Sequence, residues 1–211
     1  MEINYNQKLN LLLKEIDKNN KPNLFLHVCC GPCSTAVLKR LFDCFNIYVI
    51  FYNSNIDTND EYILRLRQLE KVIEINKYNI KIIYNEYDHN EFLINAKGYE
   101  DEVEGGKRCE VCFNLRLGKS YDIAKKYILD NQLDDKNNYL CTTLSISPHK
   151  NAKLIEEIGE KICNNDSNFI KYLPSDFKKE DGYLNSIVLS KSYGLYRQNY
   201  CGCEFSKVNN N

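Results

Sequence analysis

The stretch Leu24-Phe-Leu-His-Val-Cys-Cys-Gly-Pro-Cys-Ser-Thr-Ala-Val-Leu-Lys-Arg-Leu-Phe42 decides how this chain is read. Leu24 to Val28 is an apolar run of strand length, and the three cysteines Cys29, Cys30 and Cys33 fall in the turn that follows it. Ser34 to Phe42 then reads as a short helix, with the Ser34 hydroxyl available as its cap. The unit is strand, cysteine-rich turn, helix.

The same alternation extends outward. Upstream, Tyr5, Leu9, Leu12 and Ile16 recur at helical spacing, which predicts an amphipathic helix ending near Asn19 to Pro22. Downstream, strands are expected at Ile47 to Tyr52, Ile80 to Tyr84 and Tyr139 to Thr143. Between and after them, helices are expected at Glu61 to Asn76, Glu91 to Ala96, from the Cys109 to Cys112 motif through Ile128, and across Ile155, Ile158 and Ile162. Strands separated by helices favour a parallel sheet. The expectation is therefore a single α/β domain over residues 1–211, Rossmann-like and three-layered with a mostly parallel sheet. It divides into an N-terminal helix (1–22), an α/β core (23–163) and a helical C-terminal extension (164–211).

Composition narrows the class. With 211 residues, 43% hydrophobic and 27% charged, the chain can bury a real core. Its longest apolar stretch, Ile47-Tyr-Val-Ile-Phe-Tyr52, falls far short of the roughly 20 residues that span a bilayer, and charges interrupt the N-terminal leucines. A cytoplasmic protein with no membrane partner is expected. Ten cysteines without a secretion signal point to metal or thiol chemistry rather than a disulfide framework, although Cys44, Cys141 and Cys163 sit among apolar neighbours and read as core residues. A net charge of -1 means that any nucleic-acid site must be a local patch.

In an open α/β sheet, ligands bind beyond the carboxyl ends of the strands, where the Cys29-Cys30-Cys33 turn lies. Thiols stand there in place of the glycine-rich loop a phosphate would need. A second pair, Arg108-Cys-Glu-Val-Cys112, opens a helix whose N-terminal amides favour thiolate. Four thiolates suit a tetrahedral zinc or an iron-sulfur cluster, and spacing alone does not separate the two. The third feature, Tyr200-Cys-Gly-Cys203, reads as a redox-active pair or a metal-binding one. His27 reads as a core histidine; His149, after the fourth strand, is better placed to meet the cysteine turn, and Asp57, Glu61 and Arg65 follow the second strand.

Taken together, six blocks resemble the cobalamin-independent epoxyqueuosine reductases, QueH. They are His27-Val-Cys-Cys-Gly-Pro-Cys33; Phe51-Tyr-Asn-Ser-Asn-Ile56 with Glu61-Tyr62 and Arg65; Glu104-Gly-Gly-Lys-Arg-Cys-Glu-Val-Cys-Phe113 with Arg116-Leu117; Thr142-Thr-Leu-Ser-Ile-Ser-Pro-His-Lys150; Asp176-Phe-Lys178; and Leu195-Tyr-Arg-Gln-Asn-Tyr-Cys-Gly-Cys203. The resemblance covers about residues 23 to 206. Gly31, where alanine is common, and Ser54, where proline is usual, depart from it.

The resemblance implies a 4Fe-4S cluster on Cys29, Cys30, Cys109 and Cys112, with an additional mononuclear iron beside it that Cys33 would contact. It also implies a redox-active Cys201/Cys203 pair and reduction of epoxyqueuosine to queuosine in the anticodon loop of tRNA, with electrons from a donor the sequence does not name. His149, Asp57 and Arg197 are the candidates for supplying protons or orienting the substrate. Lys150, Lys153, Lys178, Lys179, Lys191 and Arg197 are candidates for contacting the RNA. The rivals are a zinc-stabilised RNA-binding module and a metal-free thiol-disulfide oxidoreductase.

Overall fold

The computed structural model describes residues 4–133, 137–166 and 169–207, so part of the expected C-terminal extension lies outside the described residues. Strands β1 (Asn23–His27), β2 (Asn46–Ile50), β3 (Lys81–Ile83), β4 (Asn138–Thr142) and β5 (Lys171–Tyr172) form one all-parallel sheet in the order β3-β2-β1-β4-β5. The helices are α1 (Tyr5–Glu15), α2 (Gly31–Leu41), α3 (Asn59–Ile75), α4 (His89–Ala96), α5 (Lys107–Asp130), α6 (Ala152–Asn164) and α7 (Gly182–Ser192).

Alternation along the strands explains the three layers. Leu24 and Leu26 of β1 with Ile47 and Val49 of β2 face one side, where Leu9, Val37, Leu38, Leu41, Leu69 and Val72 from α1, α2 and α3 cover them. Phe25, Ile50 and Leu140 face the other side against Tyr121, Ala124 and Ile128 of α5 and Cys163 of α6. Burying a leucine or phenylalanine of this kind contributes about 1.5–3 kcal/mol each. Cys44, Cys141 and Cys163 are buried among these apolar groups, as expected of core residues. The extension supplies α7, and Tyr193 and Leu195 after it pack on the first layer.

Two local boundaries differ from expectation by three residues or more. Helix α1 ends at Glu15, short of Asn19 to Pro22. Helix α2 starts at Gly31, with Cys30 as its N-cap; the Cys30 sulfur accepts from the Cys33 N–H at 3.3 Å, while the Ser34 hydroxyl donates to the Gly31 carbonyl oxygen at 2.7 Å. A thiol thus takes the capping role expected of Ser34. Cys33 consequently enters the first helical turn.

Candidate metal and redox site

Strand order places the site. The chain leaves β1 towards β2 and later returns on β1's other side as β4, so the crevice between the ends of β1 and β4 is the sheet's switch point. Cys29 lies there, its N–H donating to the Thr143 hydroxyl at 3.2 Å. Below it, fully buried His27 is held by the Thr142 hydroxyl at 2.7 Å and the Tyr52 carbonyl oxygen at 3.1 Å. Burial, with Arg116 nearby, lowers its pKa to about 3, so His27 is neutral and structural.

Cys29, Cys30 and Cys33 converge. Their sulfurs all lie within 4.8 Å of one another, with Cys29 to Cys30 at 3.9 Å and Cys30 to Cys33 at 2.6 Å. Hydrogen bonds from Cys30 and Cys33, aided by Lys150 and Arg116, hold the Cys29 thiol well below the usual range. Burial pushes Cys30 up to about 12, and its thiol neighbours and burial raise Cys33. Of the three sulfurs, Cys29 is the one whose surroundings favour negative charge. Gly31 permits it sterically, because a Cβ there would come within 2.5 Å of the Gln68 carbonyl carbon of α3. Helices α2 and α3 approach too closely at that point for any side chain.

Cys109 lies in the first turn of α5 and Cys112 in the second. Gly105 N–H donates to the Cys109 sulfur at 3.2 Å, yet burial raises the Cys109 pKa and pushes Cys112 up to about 11, outweighing the helix terminus expected to favour thiolate. Arg108, only 2% exposed, donates to the carbonyl oxygens of Tyr99, Glu100 and Glu102 and so fixes the preceding loop. Cys109 packs against the same apolar cluster as Cys29 and Cys30, whereas Cys112 packs with Cys203 and Phe92. Cys109, Cys112, Cys201 and Cys203 line one small cavity together.

The tail carrying Cys201 and Cys203 is clamped by the segment after β2. Arg65 donates to the Cys201 carbonyl oxygen at 3.0 Å, pairs with Glu61 at 2.7 Å and lies 5.1 Å from the Tyr200 ring centre. The Asp57 N–H donates to the Gly202 carbonyl oxygen at 3.0 Å, while its carboxylate pairs with Lys207 and accepts from the Tyr200 hydroxyl at 3.4 Å. Gly202 has φ +106°, a conformation that favours glycine. Cys201 and Cys203 are both free thiols, and burial pushes Cys203 up to about 12.

Between the thiols and the tail lies a cavity of about 510 Å³, within the range of small-ligand sites. Cys29, Cys33 and Cys201 reach it, and Arg65, Arg116, Lys150 and Arg197 line it against a single carboxylate, Glu104. A chain of net charge -1 thus carries a local basic pocket. Exposed His149 and Arg197 line this cavity; Asp57 does not, being committed to the tail. Of the expected RNA-facing lysines, Lys153 pairs with Glu157 and Lys178 with Asp176, Lys179 borders a separate cavity between α2 and α7, and Lys150 turns into the site. The amide residues Asn53, Asn55 and Gln198 also line it. Nothing in the chain's periodicity marks those three, although Asn53 and Asn55 follow β2 at the ligand-binding edge of the sheet.

Three sulfurs within 4.8 Å can hold a metal, since a tetrahedral ion with sulfur bonds of about 2.3 Å sets its ligands about 3.8 Å apart. Cys29, Cys30 and Cys33 form the one such group among the described residues. The structure therefore brings Cys33 to Cys29 and Cys30, and brings Cys109 and Cys112 together with the tail thiols. Cys201, Glu104, His149 and Lys150 border both cavities and join the two sulfur groups. A group made up of three cysteine sulfurs suits a soft, thiophilic metal centre.

A family model described as epoxyqueuosine reductase QueH matches residues 24–209. The chain is 37% identical over 213 residues to the epoxyqueuosine reductase QueH of Streptococcus pyogenes serotype M1, a match covering 97% of this chain and 78% of that protein. It is 38% identical over 217 residues to the protein of that name from Staphylococcus aureus strain Mu50, covering 98% of this chain and 85% of the other. It is also 35% identical over 186 residues to the one from Thermotoga maritima, covering 87% and 89%.

Proposed function

The chain belongs to the epoxyqueuosine reductase QueH family, and we propose that it reduces epoxyqueuosine to queuosine in the anticodon loop of tRNA, in the cytoplasm. The observation that supports this most is the convergence of Cys29, Cys33 and Cys201 on one basic cavity at the switch point of the sheet. Turning an epoxide into an alkene breaks two C–O bonds, releases the oxygen as water and consumes two electrons and two protons. Oxidation of the Cys201 and Cys203 dithiol to a disulfide would release two electrons and two protons, which balances that step. An external low-potential reductant must then restore the dithiol.

Cys29, Cys30, Cys109 and Cys112 are the proposed ligands of a 4Fe-4S cluster, and Cys33 that of an additional iron. When bound, such a centre supplies electrons one at a time and Lewis acidity towards an epoxide oxygen. The protein's own groups have separate work. Lys150 and Arg116 hold positive charge beside Cys29, which favours thiolate ligands. His149 and Arg197, on the cavity wall, are the proposed proton donor and substrate-orienting group. Asp57 is proposed to position the redox turn. An unstacked loop base is accessible to a cavity of this kind, whereas a paired base is not. No helix among the described residues is long and apolar enough to cross a membrane.

The genetic test is direct. Deleting this protein from a cell without a cobalamin-dependent counterpart should make epoxyqueuosine accumulate in tRNA, and a plasmid copy should restore queuosine. Unchanged queuosine in the deletion strain would overturn the proposal.

A further inference from the structure

Two buried amide oxygens, on residues that line the cavity, have no hydrogen-bond partner among the described residues. Asn55, 1% exposed, stands after β2, and its Oδ1 is buried and without a hydrogen bond. Gln198 comes from the tail; its side chain faces the Cys30 sulfur, and its Oε1 is likewise buried and unpartnered. Both residues line the cavity that Cys29 and Cys201 reach. Neighbouring Asn53 is fully committed, donating to the Val28 carbonyl oxygen at 2.9 Å and accepting from Arg116 at 2.5 Å. Leaving a buried acceptor unpaired is costly, and two such acceptors sharing one cavity call for a ligand that donates.

We propose that Asn55 and Gln198 form the specificity element of the site, accepting hydrogen bonds from the ring N–H and exocyclic amino group of a guanine-type base. A backbone phosphodiester offers only acceptor oxygens and would leave both amide oxygens unpaired. Adenine and cytosine present an acceptor at the position of the guanine ring N–H. A 2-amino-6-oxo ring offers adjacent N–H donors on one edge, which suits a pair of carbonyl acceptors. The inference rests on the proposed reaction insofar as epoxyqueuosine keeps this edge of guanine while carrying its epoxide elsewhere. The amides would thus hold the ring by the end that does not react. Charged Arg197, exposed on the same cavity, is left for the backbone phosphates.

The test uses the full chain and two synthetic anticodon stem-loops that differ only at the wobble base, guanosine in one and inosine, which lacks the 2-amino group, in the other. Fluorescence anisotropy should show the wild-type protein binding the guanosine loop about tenfold more tightly. The Asn55→Ala/Gln198→Ala double variant should bind both loops equally. Equal wild-type affinities would overturn the proposal even if the buried Asn55 variant failed to fold. Full discrimination by a folded double variant would overturn it as well. Deoxygenation of an epoxyqueuosine-bearing loop, measured in parallel, separates the two ideas. Turnover without guanosine discrimination would defeat the recognition element alone, and discrimination without turnover would defeat the proposed reaction alone.

Discussion

Arg65 reaches from α3 to the carbonyl oxygen of Cys201, 136 residues away in the chain, at 3.0 Å. At 2% exposure it is a buried cation, neutralised by Glu61, and the Cys201-Gly-Cys203 turn folds over it. The Cys201-Gly-Cys203 turn is therefore held to the core by a charge-assisted hydrogen bond. Such bonds contribute about 1.5–3 kcal/mol.

Replacing Arg65 with Gln should loosen the tail before it affects the sheet. Amide exchange across residues 199 to 206 should accelerate at least tenfold, as expected for the loss of about 1.4 kcal/mol or more of local stability, with β1 and β4 unchanged. Uniform acceleration in all elements would show that Arg65 supports the fold and not specifically the turn.

Glycine at 202 makes the same clamp steric. A Cβ there would lie 2.9 Å from the Arg65 Nη1 in a backbone of φ +106°. Gly202→Ala should destabilise the turn by roughly 1–3 kcal/mol. Thiol trapping across a redox titration should show a shifted midpoint for Cys201 and Cys203; an unchanged midpoint would mean that the turn's conformation does not tune the pair.

Glu156 of α6 has no accessible surface. Its Oε1 accepts from the Ser175 N–H at 3.1 Å, its Oε2 has no partner, and burial raises its pKa to about 9. The unfolded chain loses this proton near the ordinary value of about 4.3 and the folded chain only near 9. Folded protein therefore binds more protons in that window, and this group's contribution to stability is fullest below it and falls as pH rises towards 9. Urea unfolding at pH 5 and pH 8.5 should show Glu156→Gln gaining on the wild type by about 4 kcal/mol at the higher pH. Parallel curves would contradict the neutral-acid assignment.

The sulfur sites predict an ordered loss of metal. Cys30→Ser and Cys112→Ser should each sharply reduce bound iron after anaerobic reconstitution, whereas Cys44→Ala, in the apolar layer under α2, should not. Full iron and sulfide in both serine variants would remove those cysteines from the ligand set. A colourless protein that binds zinc stoichiometrically would favour the structural-zinc alternative.

The fold was legible because its signals are local. The apolar run from Leu24 to Val28, the stripe Tyr62, Leu66, Leu69 and Ile73, and strand-helix alternation all act within a few residues, and together they imply a parallel sheet with a site at its carboxyl edge. The cysteines and His149 could be nominated by residue type and position. Other features depend on tertiary contacts. Asp57 was drawn out of the cavity by Lys207 and Tyr200, and the unpaired oxygens of Asn55 and Gln198 become informative only once the tail lies over the sheet. Such pairings between residues more than a hundred positions apart leave no periodic trace.

Nucleoside mass spectrometry reads out the reductive removal of an epoxide oxygen from a tRNA base without an intermediary. Anaerobically reconstituted protein, a low-potential reductant and tRNA bearing epoxyqueuosine should give, after digestion, a nucleoside lighter by one oxygen, with no conversion when either protein or reductant is omitted. An untouched epoxide in the presence of iron- and sulfide-replete protein that binds the same tRNA tightly would rule out epoxide reduction and leave an RNA-binding protein.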